Sequence, residues 1–264
     1  MVTETDKLLF DVKDKIATIT FNNPEKLNAF NQPMLHAYRE RLEEARDRDD
    51  VNVIVVTGAG KGFCAGGDVG QMGASKPTPK EIKEGLWNLI QRIPLTMQTI
   101  DKPIIAAING AAVGAGLDMA LHCDMRVAVE SAKLGETYVR VGLVPGNGGA
   151  YFLPRIIGLP KALELLWSAE LLTAQKAKEI GLVNHVAAEG KLMEDTYAIA
   201  RKIADAPPIS VRYIKRLTYQ CMDLDMRTAL DLVSSHMTIA RSSEDHAEAI
   251  RAFKEKTTGT YHNR

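Results

Sequence analysis

The chain carries no net charge, with 33 basic against 33 acidic side chains in 264 residues, so it lacks the electrostatic footprint of a DNA- or RNA-binding protein. A local patch for a phosphorylated ligand can still sit inside a neutral total. No run of about eighteen apolar residues occurs, and the opening MVTETDKLLF has no basic stretch leading into an apolar one. Neither a membrane span nor export is expected, and the expected compartment is the cytoplasm. Cysteine is scarce: Cys64, Cys123 and Cys221 lie far apart and are odd in number, which fits neither a disulfide framework nor a CxxC metal site. They read as reduced thiols, and no metal site is expected.

What is present is ordinary soluble composition, 45% apolar and 25% charged, in a chain long enough for one sizeable core. LLFDVKDKIATITFNN alternates apolar and polar residues over two runs split by Asp14-Lys15, the pattern of a hairpin near an edge. Pro33 to Arg48 reads as an amphipathic helix with Leu35, Tyr38, Leu42 and Ala45 on one face. VNVIVVTGAG is a β-branched run ended by glycine, a strand buried on both sides. A helix from about Thr78 to Ile100 leads into KPIIAAINGAAVGAG, a second apolar strand that runs into small residues and a new helix, and DMRVAVE is again strand-like. Repetition of strand, glycine turn and helix predicts an α/β core.

From Lys161 onward the texture turns helical. TAQKAKEIGL is capped by Thr173 and stopped by Gly181, and LVNHV is a short strand. After about Lys191 three or four helices follow, Pro207-Pro208 opening one and EDHAEAIRAFKEK forming the last, with TTGTYHNR as a frayed tail. The expected division is a core over 1–190 and a helical region over 191–264.

Two turns concentrate small residues after buried strands: GFCAGGDV and NGAAVGAGLDMA. Residues without side chains let a ligand approach the main chain, and amides at a helix start point outward unpaired. Two such amides converging on one point would stabilise the oxyanion of a thioester, each contributing about 3 to 4 kcal/mol in the transition state. Neither turn fits the dinucleotide GxGxxG pattern or the P-loop, which leaves a nucleotide-dependent α/β enzyme as the weakest of the readings kept open. Cys64 beside the first turn reads as a small buried filler, because a nucleophilic thiol needs a base and an electropositive setting.

NPEKLNAF (23 to 30), GFCAGGDV (62 to 69), KPIIAAINGAAVGAGLDMALHCD (102 to 124), VGLVPGNGGAYFLPRIIG (141 to 158) and AQKAKEIGLVNHV (174 to 186) together resemble, in order, the crotonase or enoyl-CoA hydratase/isomerase family. The resemblance implies a spiral core of ββα repeats, a helical C-terminal region that makes trimers or dimers of trimers, and an acyl-CoA substrate whose CoA is the only coenzyme involved. It assigns the oxyanion donors to the backbone amides of Ala65 and Ala115. Ala115 stands where many members have glycine, so its methyl must point away from the thioester. Lys26, Asn28 and Ala29 resemble the wall around CoA, Gly67 and Asp68 border the nucleotide, and Phe253 and Lys256 resemble residues that close over CoA, often from a neighbouring subunit. The basic run that usually follows them is replaced here by Thr257-Thr258-Gly259.

Hydration of a 2-enoyl thioester needs water activated toward C3 and a proton delivered to C2, work usually done by two carboxyl groups. Where typical hydratases of the family have two glutamates this chain has Asp118 and Tyr138. Asp118 draws its carboxyl back by about one methylene, as in dienoyl-CoA isomerases of the family, and a phenol with a reference pKa of about 10 is a weak base but a competent hydrogen-bond donor. Glu136, two residues earlier, is expected on another face as a fallback. His122 reads as a satisfied structural histidine and Asn147 as either a turn residue or a water-positioning one. The leading expectation is an enoyl-CoA hydratase-like lyase. Enoyl- or dienoyl-CoA isomerisation, thioester hydrolysis or decarboxylation, and a non-catalytic acyl-CoA-binding protein stay open beside it.

Overall fold

The computed structural model describes residues 7–67 and 77–264. Alternation in the first segment gives β1 (Leu8–Lys13) and β2 (Ile16–Phe21), an antiparallel pair that turns at Asp14 and Lys15, both with positive φ. Such a turn matches the right-handed twist of its strands. Helix α1 (Gln32–Asp47) is capped by the Asn31 side chain, which accepts from the Met34 amide. Its apolar stripe, Leu35, Tyr38, Leu42 and Ala45, is buried as the 3.6-residue period requires.

The β-branched run forms β3 (Val53–Gly58), which continues the sheet in parallel with β2 on one side and β5 (Ile104–Ile108) on the other; β7 (Met125–Val129) and β10 (His185–Ala187) complete it. Val53 to Val56 and Ile104 to Ile108 are buried throughout, and each valine or isoleucine among them contributes about 1.5 to 3 kcal/mol of apolar burial. Three of these core strands hand the chain on to a smaller sheet: β3 to β4 (Gly62–Cys64), β5 to β6 (Ala111–Val113) and β7 to β8 (Lys133–Gly135), with β9 (Leu172–Thr173) at its edge. Strands β4, β6 and β8 lie side by side and parallel. This is the α/β core that the residue patterns predict, in the ββα arrangement that the family resemblance implies.

The expected helix from Thr78 to Ile100 is broken into α2 (Pro79–Gly85), a π-helical turn (Leu86–Ile90) and α3 (Arg92–Met97). Pro94 has no amide to donate back to Ile90, so the i to i−4 ladder cannot run through. Beyond the core come α4 (Ala115–Leu121), α5 (Gly149–Ile157), α6 (Leu159–Ser168), α7 (Ala174–Glu179), α8 (Leu192–Ala204), α9 (Pro208–Cys221), α10 (Met226–Arg241) and α11 (Glu244–Glu255). Thr173 caps α7 as expected, its side chain accepting from the Lys176 amide.

Helix α8 puts Leu192, Ala200 and Ala204 into the main core, so the covering of the sheet continues past residue 190 and the lightly buried helices begin at Pro208. Helix α9 is held by partly buried charge pairs, Arg212 to Asp101 at 2.8 Å and Lys215 to Asp124 at 2.8 Å, while Tyr219 donates to Asp124 at 2.9 Å. The C-terminal tail is not frayed. The amides of His262 and Asn263 donate to the two oxygens of Asp245 at 2.7 and 2.9 Å, and the Asp245 amide donates to the Arg264 carbonyl at 3.1 Å. Composition alone hides this clasp, because its acceptor lies seventeen residues earlier in the chain.

Candidate active site

Because β4, β6 and β8 are adjacent and parallel, the segments that leave their C-terminal ends meet: Ala65 to Gly67, Gly114 to Asp118, and Glu136 to Tyr138. Loops at the carboxyl ends of parallel strands are where α/β proteins place their ligands. The first two turns interlock. A Cβ on Gly116 would overlap the Cys64 carbonyl, so only glycine permits that approach. A Cβ on Gly66, which has φ +89°, would stand 3.5 Å from the Ala115 nitrogen and 3.1 Å from the Val113 carbonyl oxygen, so a side chain there would cover the Ala115 amide.

The Ala115 amide opens α4 and donates to no backbone carbonyl, and the Ala115 methyl packs against the core, as a glycine replacement at this place requires. The Ala65 amide, by contrast, donates to the Leu27 carbonyl at 3.0 Å. In the free protein that amide is engaged with the scaffold. The Gly66 amide is directed at the Cys64 sulfur. On the first turn the amide that makes no hydrogen bond among the described residues is that of Gly67, whose residue bridges to Phe30 in parallel. Cys64 itself is fully buried, and burial pushes its thiol up to about 12, so it is no nucleophile.

Asp118, on the first turn of α4, is fully buried. The Tyr138 hydroxyl donates to its Oδ2 at 2.5 Å, and the Gly146 amide lies toward the phenol oxygen. Gly146 is pinned from the other side, since Gln91 Nε2 donates to its carbonyl at 2.9 Å. Burial pushes the Asp118 carboxyl up to about 6, opposed by the Tyr138 hydroxyl bond and by the nearby Glu136 carboxyl and Asn147 and Gly149 amides, which favour its ionised form. Burial, followed by the Asp118 charge, drives the Tyr138 phenol far above its ordinary range, so it acts as a donor and not as a phenolate.

Glu136 is also buried and lies against Asp118, contrary to the expectation that it faces elsewhere. Leu134, Glu136 and Asp118 share the interior because the strand alternates with period two through β8, and the chain then turns into the 3-10 segment Tyr138–Val141. Burial, then the Asp118 charge, raises the Glu136 carboxyl well above its usual range. His122 does not pair with Asp118. Its Nε2 donates to the Asn147 carbonyl at 2.7 Å, and burial lowers it to about 4, so it is neutral and structural. Asn147 is fully buried, its amide nitrogen 3.7 Å from the Met119 sulfur.

Of the expected CoA wall, Asn28 is committed inward: it accepts from the Asn23 amide at 2.8 Å and donates to the carbonyls of Ala59 and Gly62 at 2.9 and 2.6 Å. With φ +58° and no exposure it shapes the loop and offers a ligand no side-chain atom. Ala29 is half-buried and Lys26 is exposed on the 3-10 turn Pro24–Lys26. Asp68 lies outside the described residues. Phe253 is 85% exposed on α11, and Lys256 ends that helix with φ +55°. No hydrogen bond among the described residues joins either of them to the strand-end turns. Among the described residues no group of three or more His, Cys, Asp or Glu is placed to hold a metal, and no helix is long and apolar enough to cross a membrane.

Comparison with known proteins gives the same reading. The family model described as enoyl-CoA hydratase/isomerase matches residues 11–264. The short-chain-enoyl-CoA hydratase of Clostridium acetobutylicum is 34% identical over 96% of this chain and 96% of its own. The 1,2-epoxyphenylacetyl-CoA isomerase of Escherichia coli is 31% identical over 94% and 95%. The crystal structure of an enoyl-CoA hydratase from Bacillus anthracis superposes with a TM-score of 0.93 at 32% identity, covering 98% of this chain and all of that one. With a fold, a set of strand-end turns and a full-length match in agreement, this chain belongs to the enoyl-CoA hydratase/isomerase family.

Proposed function

We propose that the protein adds water to a 2-enoyl-CoA, holding the thioester oxygen on the amides of Gly67 and Ala115 and moving the proton through Tyr138 and Asp118. The observation that carries this reading is the Tyr138 hydroxyl seated on the buried Asp118 beside a turn whose Ala115 amide is left open. Asp118 is out of solvent, whereas Tyr138 is half-buried, so the phenol is the member that meets a substrate. Water adding to C3 passes its proton to the phenol oxygen as the phenolic proton moves to Asp118 Oδ2. The same path reversed returns a proton to C2 of the enolate, whose charge the two amides stabilise before reaction. The family relationship to hydratases supports the reaction class. The CoA wall is assigned to Lys26, Ala29 and Asp68, with no further cofactor, and Phe253 and Lys256 close over CoA from a neighbouring subunit of a trimer or dimer of trimers in the cytoplasm.

A second reading, migration of the double bond in an enoyl- or dienoyl-CoA, is favoured by one feature. Asp118 and Tyr138 form a single proton-carrying unit in place of two separate carboxylates facing the substrate. Incubation with crotonyl-CoA and a panel of enoyl- and dienoyl-CoA thioesters separates the two. Hydration removes the absorbance of the conjugated thioester and adds one water mass, whereas isomerisation leaves the mass unchanged. Binding without any change in mass or absorbance across the panel would sink both.

A further inference from the structure

Two buried carboxyl groups meet behind the phenol. Asp118 and Glu136 are 0% and 1% exposed, and Asp118 Oδ1 together with both Glu136 oxygens has no hydrogen-bond donor at regular geometry when both groups are ionised. Their closeness is fixed by Gly149. A Cβ there would collide with Asp118 Oδ1 while standing 3.1 Å from Glu136 Oε1, so both oxygens border the same small space. Two ionised carboxylates cannot share a dry site at reasonable cost, and the usual solution is one proton between them. A proton on Glu136 turns an orphaned acceptor into a donor and satisfies Asp118 Oδ1 in one step.

We propose that Glu136 is the proton-holding positioning residue of the site: it stays neutral, donates to Asp118 Oδ1, and so leaves Asp118 as the sole negative charge that the Tyr138 hydroxyl reads. The role in turnover rests on the acyl-CoA reading above; the location of the proton does not. The donor set agrees with this division. Tyr138 holds Asp118 Oδ2 and the amides of Asn147 and Gly149 approach the carboxyl, all favouring ionisation of Asp118, whereas for Glu136 burial and the Asp118 charge both favour the neutral acid. The other titratable groups that face the pair are Tyr138, which is driven upward, and His122, which is lowered to about 4 and bonded to Asn147. Neither titrates between about pH 5 and 9, so that window reports the carboxyl pair.

Infrared difference spectra of the free protein at pH 7 test the proton directly and need no substrate. The expected result is a carboxylic-acid carbonyl band in the wild-type protein that shifts in heavy water and disappears in Glu136→Gln. Absence of that band, or its persistence in Glu136→Gln, overturns the proposal. If the acyl-CoA reading fails while the band behaves as stated, the pair stands and only the reaction is wrong. Kinetics add a second readout: Glu136→Leu lowers kcat by about ten- to a hundredfold with KM moved less, and raises the acidic limb of the pH profile because Asp118 loses a donor. Glu136→Gln, whose amide still donates to Oδ1, restores most of the rate and removes the alkaline limb that ionisation of Glu136 would impose. A Gln variant as slow as Leu, or one that keeps the alkaline limb, also overturns it.

Discussion

The Tyr138 hydroxyl donates to Asp118 Oδ2 at 2.5 Å, and Asp118 is itself fully buried. In Tyr138→Phe the buried carboxyl loses this donor and the path for its proton together. Turnover is expected to fall by about 10² with acyl-CoA affinity little changed. The acidic limb of the rate profile should move above the value of about 6, since a donor to the ionised form holds a pKa down. Steady-state kinetics across pH check both; an unmoved limb with unchanged kcat returns Tyr138 to the role of pocket wall.

Asp118 also carries a stability cost whose sign can be worked out. Burial raises its folded-state pKa from the ordinary 3.8 to about 6. A raised folded pKa means that proton binding favours the fold: the contribution is fully present below about 3.8 and is lost as pH rises through about 6. Asp118→Asn should therefore melt at a higher temperature than the wild type at pH 8, lose that advantage at pH 4, and turn over substrate at least about a hundredfold more slowly. Thermal melts at the two pH values read the first part and initial rates the second.

The thiols give a clean negative control. Cys64 and Cys123 are buried and both are pushed up to about 12 by burial, while Cys221 is half-buried on α9. Alkylation of the native protein at neutral pH should label Cys221 and spare the other two, with Cys64→Ala keeping its turnover. Mass mapping of the label is the measurement. Loss of activity in step with modification of Cys64 would reopen the thiol as a reagent.

Asp245 is buried by the tail that it fastens, accepting the amides of His262 and Asn263. Asp245→Ala leaves both amides without their acceptor and should cost about 1 to 3 kcal/mol. Limited proteolysis should then cut between residues 257 and 264 faster than in the wild type, with a lowered Tm. Equal cleavage rates would show that the clasp adds nothing to the order of the tail.

Much of this was legible in the residues. Alternation marked the β1–β2 hairpin, β-branched runs marked β3 and β5, and Thr173 with Gly181 bounded α7. Small residues marked the two interlocked strand-end turns because close approach of main chain to main chain admits little else. Which amide of the first turn is left unbonded was not legible, since the direction of an amide depends on local dihedrals, here set by the positive φ of Gly66, and not on residue type. The helix break has a local cause in Pro94, whereas the pairing of Glu136 with Asp118 and the latch on Asp245 depend on which distant group occupies the neighbouring space, and no local pattern encodes that.

The segment that carries Tyr138, the 3-10 turn Tyr138–Val141, buries no residue, and it leaves a strand of the smaller sheet while the large sheet holds the apolar interior. Position 138 therefore stands at the rim of the site, while its partner Asp118 is fully buried. A designer who wishes to convert one acyl-CoA chemistry into another can vary the half-buried position 138 at little cost to the apolar interior, whereas the buried carboxyls behind it allow no such freedom.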